Sequence, residues 1–203
     1  MRPIIYILDD DQGVRASLSW LVESVGLAAQ AFGTAAEFFQ AFEPELPACL
    51  VLDVRMPEVG GFEVQAWLQE RGSRLPVIFV SGHGDIPMSV RAMKHGAFDF
   101  IEKPYNSQQL LERIQAAARA ALAQHEQHLK RQELRKRLAS LSQREREVLG
   151  LVVEGKTSKL IARELKITVK TVDVHRTHVR EKLGSATVAE LVRDVLSLRA
   201  PER

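Results

Sequence analysis

Cysteine is nearly absent. Cys49 stands alone, so no internal disulfide can form, and its place in the apolar run Cys49-Leu50-Val51-Leu52 makes it a small core residue. Long apolar runs are missing altogether. Nothing approaches the roughly 18 consecutive apolar residues of a membrane span, and the opening run Ile4-Ile5-Tyr6-Ile7-Leu8 meets Asp9, Asp10 and Asp11 too soon for a secretory signal. A cytoplasmic chain without membrane contact is expected. Glycine is not gathered into a nucleotide loop: Gly82-His83-Gly84 lacks the third glycine and the placement of a dinucleotide fingerprint, and no glycine-rich Lys-Ser/Thr loop occurs. The histidine pairs His125/His128 and His175/His178 lack a third ligand, which argues against zinc.

What remains is ordinary globular material. With 203 residues, 45% of them apolar, the chain suits two small domains at the roughly 100 to 150 residues typical of each. The net charge of +2 hides an asymmetry: residues 1–125 hold ten Lys/Arg against fifteen Asp/Glu, and residues 126–203 hold eighteen against eleven. Only the later part is basic, as expected where that end meets a polyanion.

Short apolar runs at 4–8, 50–54, 77–81 and 98–101 read as buried strands, with a weaker one at 27–32. Between them, 12–25, 35–42, 62–70 and 87–95 have helical spacing, Gly26, Gly72 and Gly96 sit where C-terminal caps belong, and Thr34 with Glu37 makes a capping box. Five strands alternating with helices imply a doubly wound α/β fold around a five-stranded parallel sheet. A helix without Gly or Pro can run from Ser107 to about Leu138, its apolar seam Leu111, Ile114, Ala118, Ala121 fading into polar residues. Beyond residue 140 the pattern is all helical. Ser142 with Glu145 caps one helix, Thr157 a second, Thr168 a third that stops before Gly184, and Thr187 with Glu190 a fourth. The expected division is 1–120, a helical linker 121–138, and 139–203.

In a parallel sheet, chemistry gathers beyond the strands' carboxyl ends. Asp9 and Asp10 follow the first strand, Asp53 and Ser81 fall at the ends of the third and fourth, and Lys103 follows the fifth. Crowded carboxylates repel, and a hard divalent cation relieves this; Mg²⁺ takes one or two carboxylates, waters and phosphate oxygens. Such an edge suits in-line phosphoryl transfer onto Asp53, with metal and lysine neutralising the equatorial oxygens. An acidic triplet alone would be no more than a loop and helix cap; the joint placement at four strand ends is what carries the reading.

Through Asp9-Asp10, Asp53-Val54-Arg55-Met56-Pro57, Ser81-Gly82-His83-Gly84 and Lys103-Pro104, about residues 1–120 resemble the response-regulator receiver family, a flavodoxin-like fold. The resemblance implies that Asp53 is the phosphoacceptor and that Mg²⁺ is held by Asp9, Asp10, Asp53 and the backbone carbonyl of Arg55. It further implies that Ser81 and Lys103 bind the phosphoryl oxygens, and that the Lys103-Pro104 bond is cis. Phe100 stands at a switch position where Tyr is frequent; with no hydroxyl to bury, it would act through ring packing. The family's dimer face maps to the surface around Val90, Arg91, Lys94 and Leu111.

A helix-turn-helix needs a short helix, a tight turn and a second helix with a face free for the major groove. Leu160, Ile161 and Leu165 supply an inner face, Ile167 the turn, and Val172, Val179 and Leu183 the inner face of the next helix. This segment, through Ser158-Lys159-Leu160-Ile161-Ala162 and Thr171-Val172-Asp173-Val174-His175-Arg176, resembles the LuxR/FixJ-type output domain, an all-α four-helix unit. By that pattern the helix-turn-helix spans 157–176. Asp173, Val174 and Thr177 would face bases, while Lys156, Lys159, Lys170, Thr171 and Arg176 would approach phosphates. Asp173 departs from the basic residue often found there.

The combined expectation is a two-component response regulator, not an enzyme beyond the self-phosphorylation and slow dephosphorylation of Asp53. A sensor histidine kinase would phosphorylate it, and dimerisation would fit two helix-turn-helices to double-stranded DNA so as to regulate transcription through RNA polymerase. The rival is a hydrolase of a phosphorylated metabolite with a basic tail; it would release phosphate catalytically, whereas a receiver reacts once per Asp53.

Overall fold

The computed structural model describes residues 2–82 and 86–199; His83 and Gly84 of the fourth-strand motif lie outside the described residues, as do 200–203. Five strands and five helices alternate first: β1 (Ile4–Leu8), α1 (Gln12–Glu23), β2 (Ala28–Phe32), α2 (Ala35–Ala41), β3 (Ala48–Asp53), α3 (Gly61–Glu70), β4 (Val77–Ser81), α4 (Ile86–Lys94), β5 (Asp99–Glu102) and α5 (Ser107–Ala139). Four more helices follow: α6 (Gln143–Val153), α7 (Ser158–Leu165), α8 (Val169–Leu183) and α9 (Val188–Arg199). The chain divides into compact units at 1–126 and 127–203.

In the first unit all pairings are parallel and the strand order is β2-β1-β3-β4-β5. Side chains alternate across the sheet as the pleat requires. Tyr6, Leu8, Leu50, Leu52 and Phe79 join Phe38, Val64 and Leu68 on one face, while Ile5, Ile7, Cys49, Val51, Ile78 and Val80 meet Leu18, Val22, Leu110 and Ile114 on the other. Two buried faces explain why β1, β3 and β4 read as continuous apolar runs. β2 is an edge strand and mostly exposed, which is why its signal in the sequence is weak. Burial drives the Cys49 thiol up to about 12, so it stays a neutral core group.

Local chemistry sets the helix ends. The Thr34–Glu37 and Ser142–Glu145 capping boxes form, and Thr157, Thr168 and Thr187 accept from the backbones of Leu160, Thr171 and Glu190. Gly26, Gly72, Gly96, Gly155 and Gly184 all take positive φ at C-terminal ends. The long helix starts at Ser107 and reaches Ala139. Its Leu110, Ile114, Ala117 and Ala118 belong to the receiver-side core, and its Leu134 and Leu138 pack on the core of the second unit. Leu111, expected on an exposed dimer face, is instead buried, because α5 turns it inward beside Leu110.

In the second unit Leu141, Val148, Leu149, Val152, Ile161, Ala162, Val172, Val179 and Leu183 form the core, closed by Leu191 and Val195 of α9. The turn between α7 and α8 passes through Lys166, a left-handed residue at φ 53°, and Ile167 packs beneath it.

Candidate functional sites

The acidic residues converge where the strand order reverses. β1 and β3 lie side by side, so Asp9, just past Leu8, and Asp53, the last residue of β3, share one edge; both are buried. Lys103 bridges them, its Nζ donating to Asp9 Oδ2 at 2.9 Å and to Asp53 Oδ1 at 2.8 Å. The lysine is aimed by its own backbone, whose N–H donates to the Ser81 carbonyl at 2.7 Å, and the following bond to Pro104 is cis. The Arg55 N–H donates to Asp53 Oδ2 at 2.7 Å. Ser81 is buried at the same edge, and the Phe100 ring is half-buried, 6.4 Å from the Phe79 ring.

The acidic triplet divides its duties. Asp9 enters the site; Asp11 caps α1 by accepting from Gly13 and Val14; Asp10 is exposed. Sequence reasoning missed Arg15, whose Nη1 donates to the carbonyls of Asp9 at 2.8 Å and Asp10 at 2.9 Å and so fastens the loop that carries them. Gly61 was missed as well. A Cβ there would collide with the Asp53 carbonyl oxygen and press on Phe79 and Val54, so α3 can begin against the end of β3 only because this residue has no side chain.

Electrostatically the edge is two buried carboxylates for one ammonium. Burial pushes the Asp53 carboxyl above its ordinary range, against the pull of Lys103 and the Arg55 N–H. For Lys103 burial works downward, but the bonds to Asp53 and Asp9 outweigh it and hold the ammonium charged. Among the described residues no three His, Cys, Asp or Glu side chains are grouped to hold a metal, since Asp10 does not join the pair. The donors present are all oxygens, the type a hard divalent cation takes.

In the second unit the outer face of α8 forms a shallow open groove lined by Val169, Lys170, Asp173, Val174, Thr177 and His178. Val174 is 45% exposed and Val169 40%, and Lys159 and Lys170 are exposed. Five expected DNA contacts are engaged within the unit. Lys156 Nζ is paired with Glu154 at 3.0 Å and Glu164 at 2.7 Å; the Thr171 hydroxyl lies 2.8 Å from that of Thr168. Arg176 Nη1 donates to Ser158 Oγ at 3.1 Å, and that hydroxyl donates to Asp173 Oδ1 at 2.8 Å. The Thr177 hydroxyl donates back to the Asp173 carbonyl.

An ion pair with one buried partner braces α8. Glu145, 4% exposed, accepts from Lys182 at 2.7 Å and from the Ser142 N–H at 2.7 Å; the lysine bond above all holds its carboxyl down at about 2. Arg137 Nη1 donates to the Leu183 carbonyl at 3.1 Å, at the carboxyl end of α8.

The parallel sheet with its acidic edge and the helical second unit each match a known family. Residues 5–115 match the response regulator receiver domain, and residues 139–195 match the bacterial regulatory proteins of the luxR family. The chain belongs to the response regulators that join a receiver domain to a LuxR-type DNA-binding domain. It is 45% identical over 190 residues to the response regulator protein TodT of Pseudomonas putida, covering 94% of this chain and 84% of TodT. It is 43% identical over 192 residues to the transcriptional regulatory protein FixJ of Azorhizobium caulinodans, covering 95% of this chain and 91% of FixJ. Among solved structures, the response regulator StyR matches with a TM-score of 0.87 at 38% identity, covering 97% of this chain and 100% of StyR.

Proposed function

We propose that Asp53 is the phosphoacceptor of a two-component relay and that its phosphorylation by a partner histidine kinase switches DNA binding by the carboxyl-terminal domain. The observation that carries this reading is Lys103 bonded at once to Asp9 and Asp53 on the reversal point of the sheet. In the reaction an Asp53 carboxylate oxygen attacks phosphorus, the donor's phosphorus–nitrogen bond breaks, and the imidazole leaves. Lys103 and Ser81 then meet the phosphoryl oxygens. Mg²⁺, held by Asp9, Asp10, Asp53 and the Arg55 carbonyl, would neutralise charge on the transferring group. Arg15 keeps the Asp9–Asp10 loop in position, and Phe100 conveys the change through ring packing.

We divide the chain into a receiver at 1–120, a helical linker at 121–138 and an output domain at 139–203, in a cytoplasmic regulator that contacts RNA polymerase. Phosphorylation favours a homodimer through α4, whose Val90, Arg91 and Lys94 are exposed. Two output domains then meet half-sites about one DNA turn apart. Moving such an equilibrium from 1:99 to 99:1 takes roughly 5.5 kcal/mol of differential free energy. On DNA, Asp173, Val174 and Thr177 face the bases, with Lys159 and Lys170 on phosphates. Lys156, Thr171 and Arg176 chiefly hold the domain's own geometry, as their bonds within it support.

The test is the intact mass of the wild type and of Asp53→Asn after incubation with Mg²⁺ and a small acyl-phosphate donor. One phosphoryl group on the wild type alone is expected. No adduct, an adduct on both, or continuous release of phosphate would overturn the reading.

A further inference from the structure

We infer that Ser158, Asp173 and Arg176 form a polarised relay that makes Asp173 a cytosine-selecting residue in the DNA half-site. The inference rests on the DNA-binding reading of the second unit and adds to it a base identity and the residue that sets it.

The direction of the relay follows from donor chemistry. A guanidinium can only donate, so the bond from Arg176 Nη1 to Ser158 Oγ, at 3.1 Å, makes the serine oxygen an acceptor and leaves its proton for Asp173 Oδ1, at 2.8 Å. Ser158 opens α7 and Asp173 lies one turn into α8. The two helices of the motif are thereby joined through the side chain expected to meet the bases. The hydroxyl occupies Oδ1 and limits rotation of the carboxylate. Among the described residues Oδ2 has no such partner, and it belongs to an exposed residue lining the groove of α8 with Lys170, Val174 and Thr177.

At Asp173 this face offers a base edge an acceptor, in a groove that Lys170 and Val174 also line. In the major groove an acceptor pairs with cytosine N4–H₂, and Asp is among the side chains suited to it; guanine there offers only acceptors, which the carboxylate repels. The Val174 side chain, 45% exposed one residue on, suits a thymine methyl. The negative charge also weakens the nearby pull on phosphates. Its presence on an otherwise basic domain therefore makes physical sense as selection against wrong bases rather than as affinity.

Replacing Asp173 with Asn inverts the preference. Ser158 still donates to the amide oxygen, so the group left for the groove is the NH₂ donor, which fits guanine O6 or N7. Replacing Ser158 with Ala frees the carboxylate to rotate and blurs the preference without reversing it.

The experiment is selection of binding sites from randomised duplexes by the full chain, treated with Mg²⁺ and an acyl-phosphate donor, for wild type, Asp173→Asn and Ser158→Ala. Anisotropy titrations at fixed salt then compare the selected site with single-base variants. The expected result is a cytosine position in the wild-type site whose replacement by guanine costs about tenfold or more in Kd. That position should move toward guanine for Asp173→Asn and lose contrast for Ser158→Ala, while the other positions stay as they are. An unchanged base preference in both variants, or an equal loss of affinity for every sequence, would reduce the relay to a structural staple and overturn the inference. No enrichment by any of the proteins would instead overturn the DNA-binding reading on which it stands.

Discussion

At the scale of single residues, the molecule spends stability on function at Asp53 and recovers it at Glu145. Burial raises the Asp53 carboxyl above its ordinary value of 3.8. A raised acid is easier to deprotonate unfolded than folded, so its contribution turns against the fold as pH climbs through and above that range. Asp53→Asn should therefore melt at a higher temperature than the wild type at pH 7 without Mg²⁺, and the difference should shrink toward pH 4; scanning calorimetry at the two pH values decides it. Glu145 behaves in the opposite way. Its carboxyl lies at about 2 against an ordinary value of 4.5, so the stability it adds is present above about 4.5 and is lost as pH falls toward 2. Amide exchange in α6 and α8 should accelerate over that window in the wild type. In Glu145→Gln the same amides should exchange faster at neutral pH and show less acid dependence. Neither partner of the Glu145–Lys182 bond stood out in the sequence as a pair, because they are 37 positions apart and only the packing of α6 on α8 brings them together.

At the scale of elements, Gly61 shows how tightly a helix can be set against a functional strand. Adding one methyl drives it into the Asp53 carbonyl oxygen, with the Phe79 ring and Val54 Cα both at 3.1 Å. Overpacking of this kind costs about 1–3 kcal/mol. Gly61→Ala should lower the urea midpoint of the receiver and slow the proposed phosphorylation of Asp53, since backbone that shifts to admit the methyl carries Asp53; normal stability with normal phosphorylation would refute this. The caps, in contrast, could be read directly. A Thr or Ser three residues before a Glu reports its own geometry, because the bond it makes is local. So do the five glycines with positive φ, which end helices wherever the chain needs a left-handed residue. Lys166 fills the same role at the end of α7 without being glycine, and nothing in its identity announced it.

At the scale of the whole chain, charge is the property that matters most. The acidic excess lies in residues 1–125, which include the Asp9–Asp53 edge, and the basic excess in residues 126–203, which include the helix-turn-helix. Binding to DNA should therefore be dominated by counterion release, its logarithm falling with that of salt by about 0.9 per phosphate neutralised. Lys159→Ala and Lys170→Ala should each reduce that slope by roughly one and weaken all sequences alike, whereas Arg176→Ala, whose guanidinium serves Ser158, should change base preference first. Filter binding across a salt series distinguishes the two patterns.

Much of this protein was settled by order along the chain. Strand and helix type, the caps, the all-helical second unit and the strand-end placement of Asp9, Asp53, Ser81 and Lys103 all depend on periodicity or on contacts a few residues apart, which a linear reading can see. The tertiary structure alone decided which oxygen Lys103 holds, that Arg15 fastens the Asp9–Asp10 loop, that Leu111 is buried, that Gly61 must be bare, and that Arg176 turns to Ser158 instead of outward. These are choices of rotamer and neighbour among groups up to 94 positions apart. They are made by packing and by the cost of leaving a buried charge or donor unpaired, and neither has any periodicity in sequence.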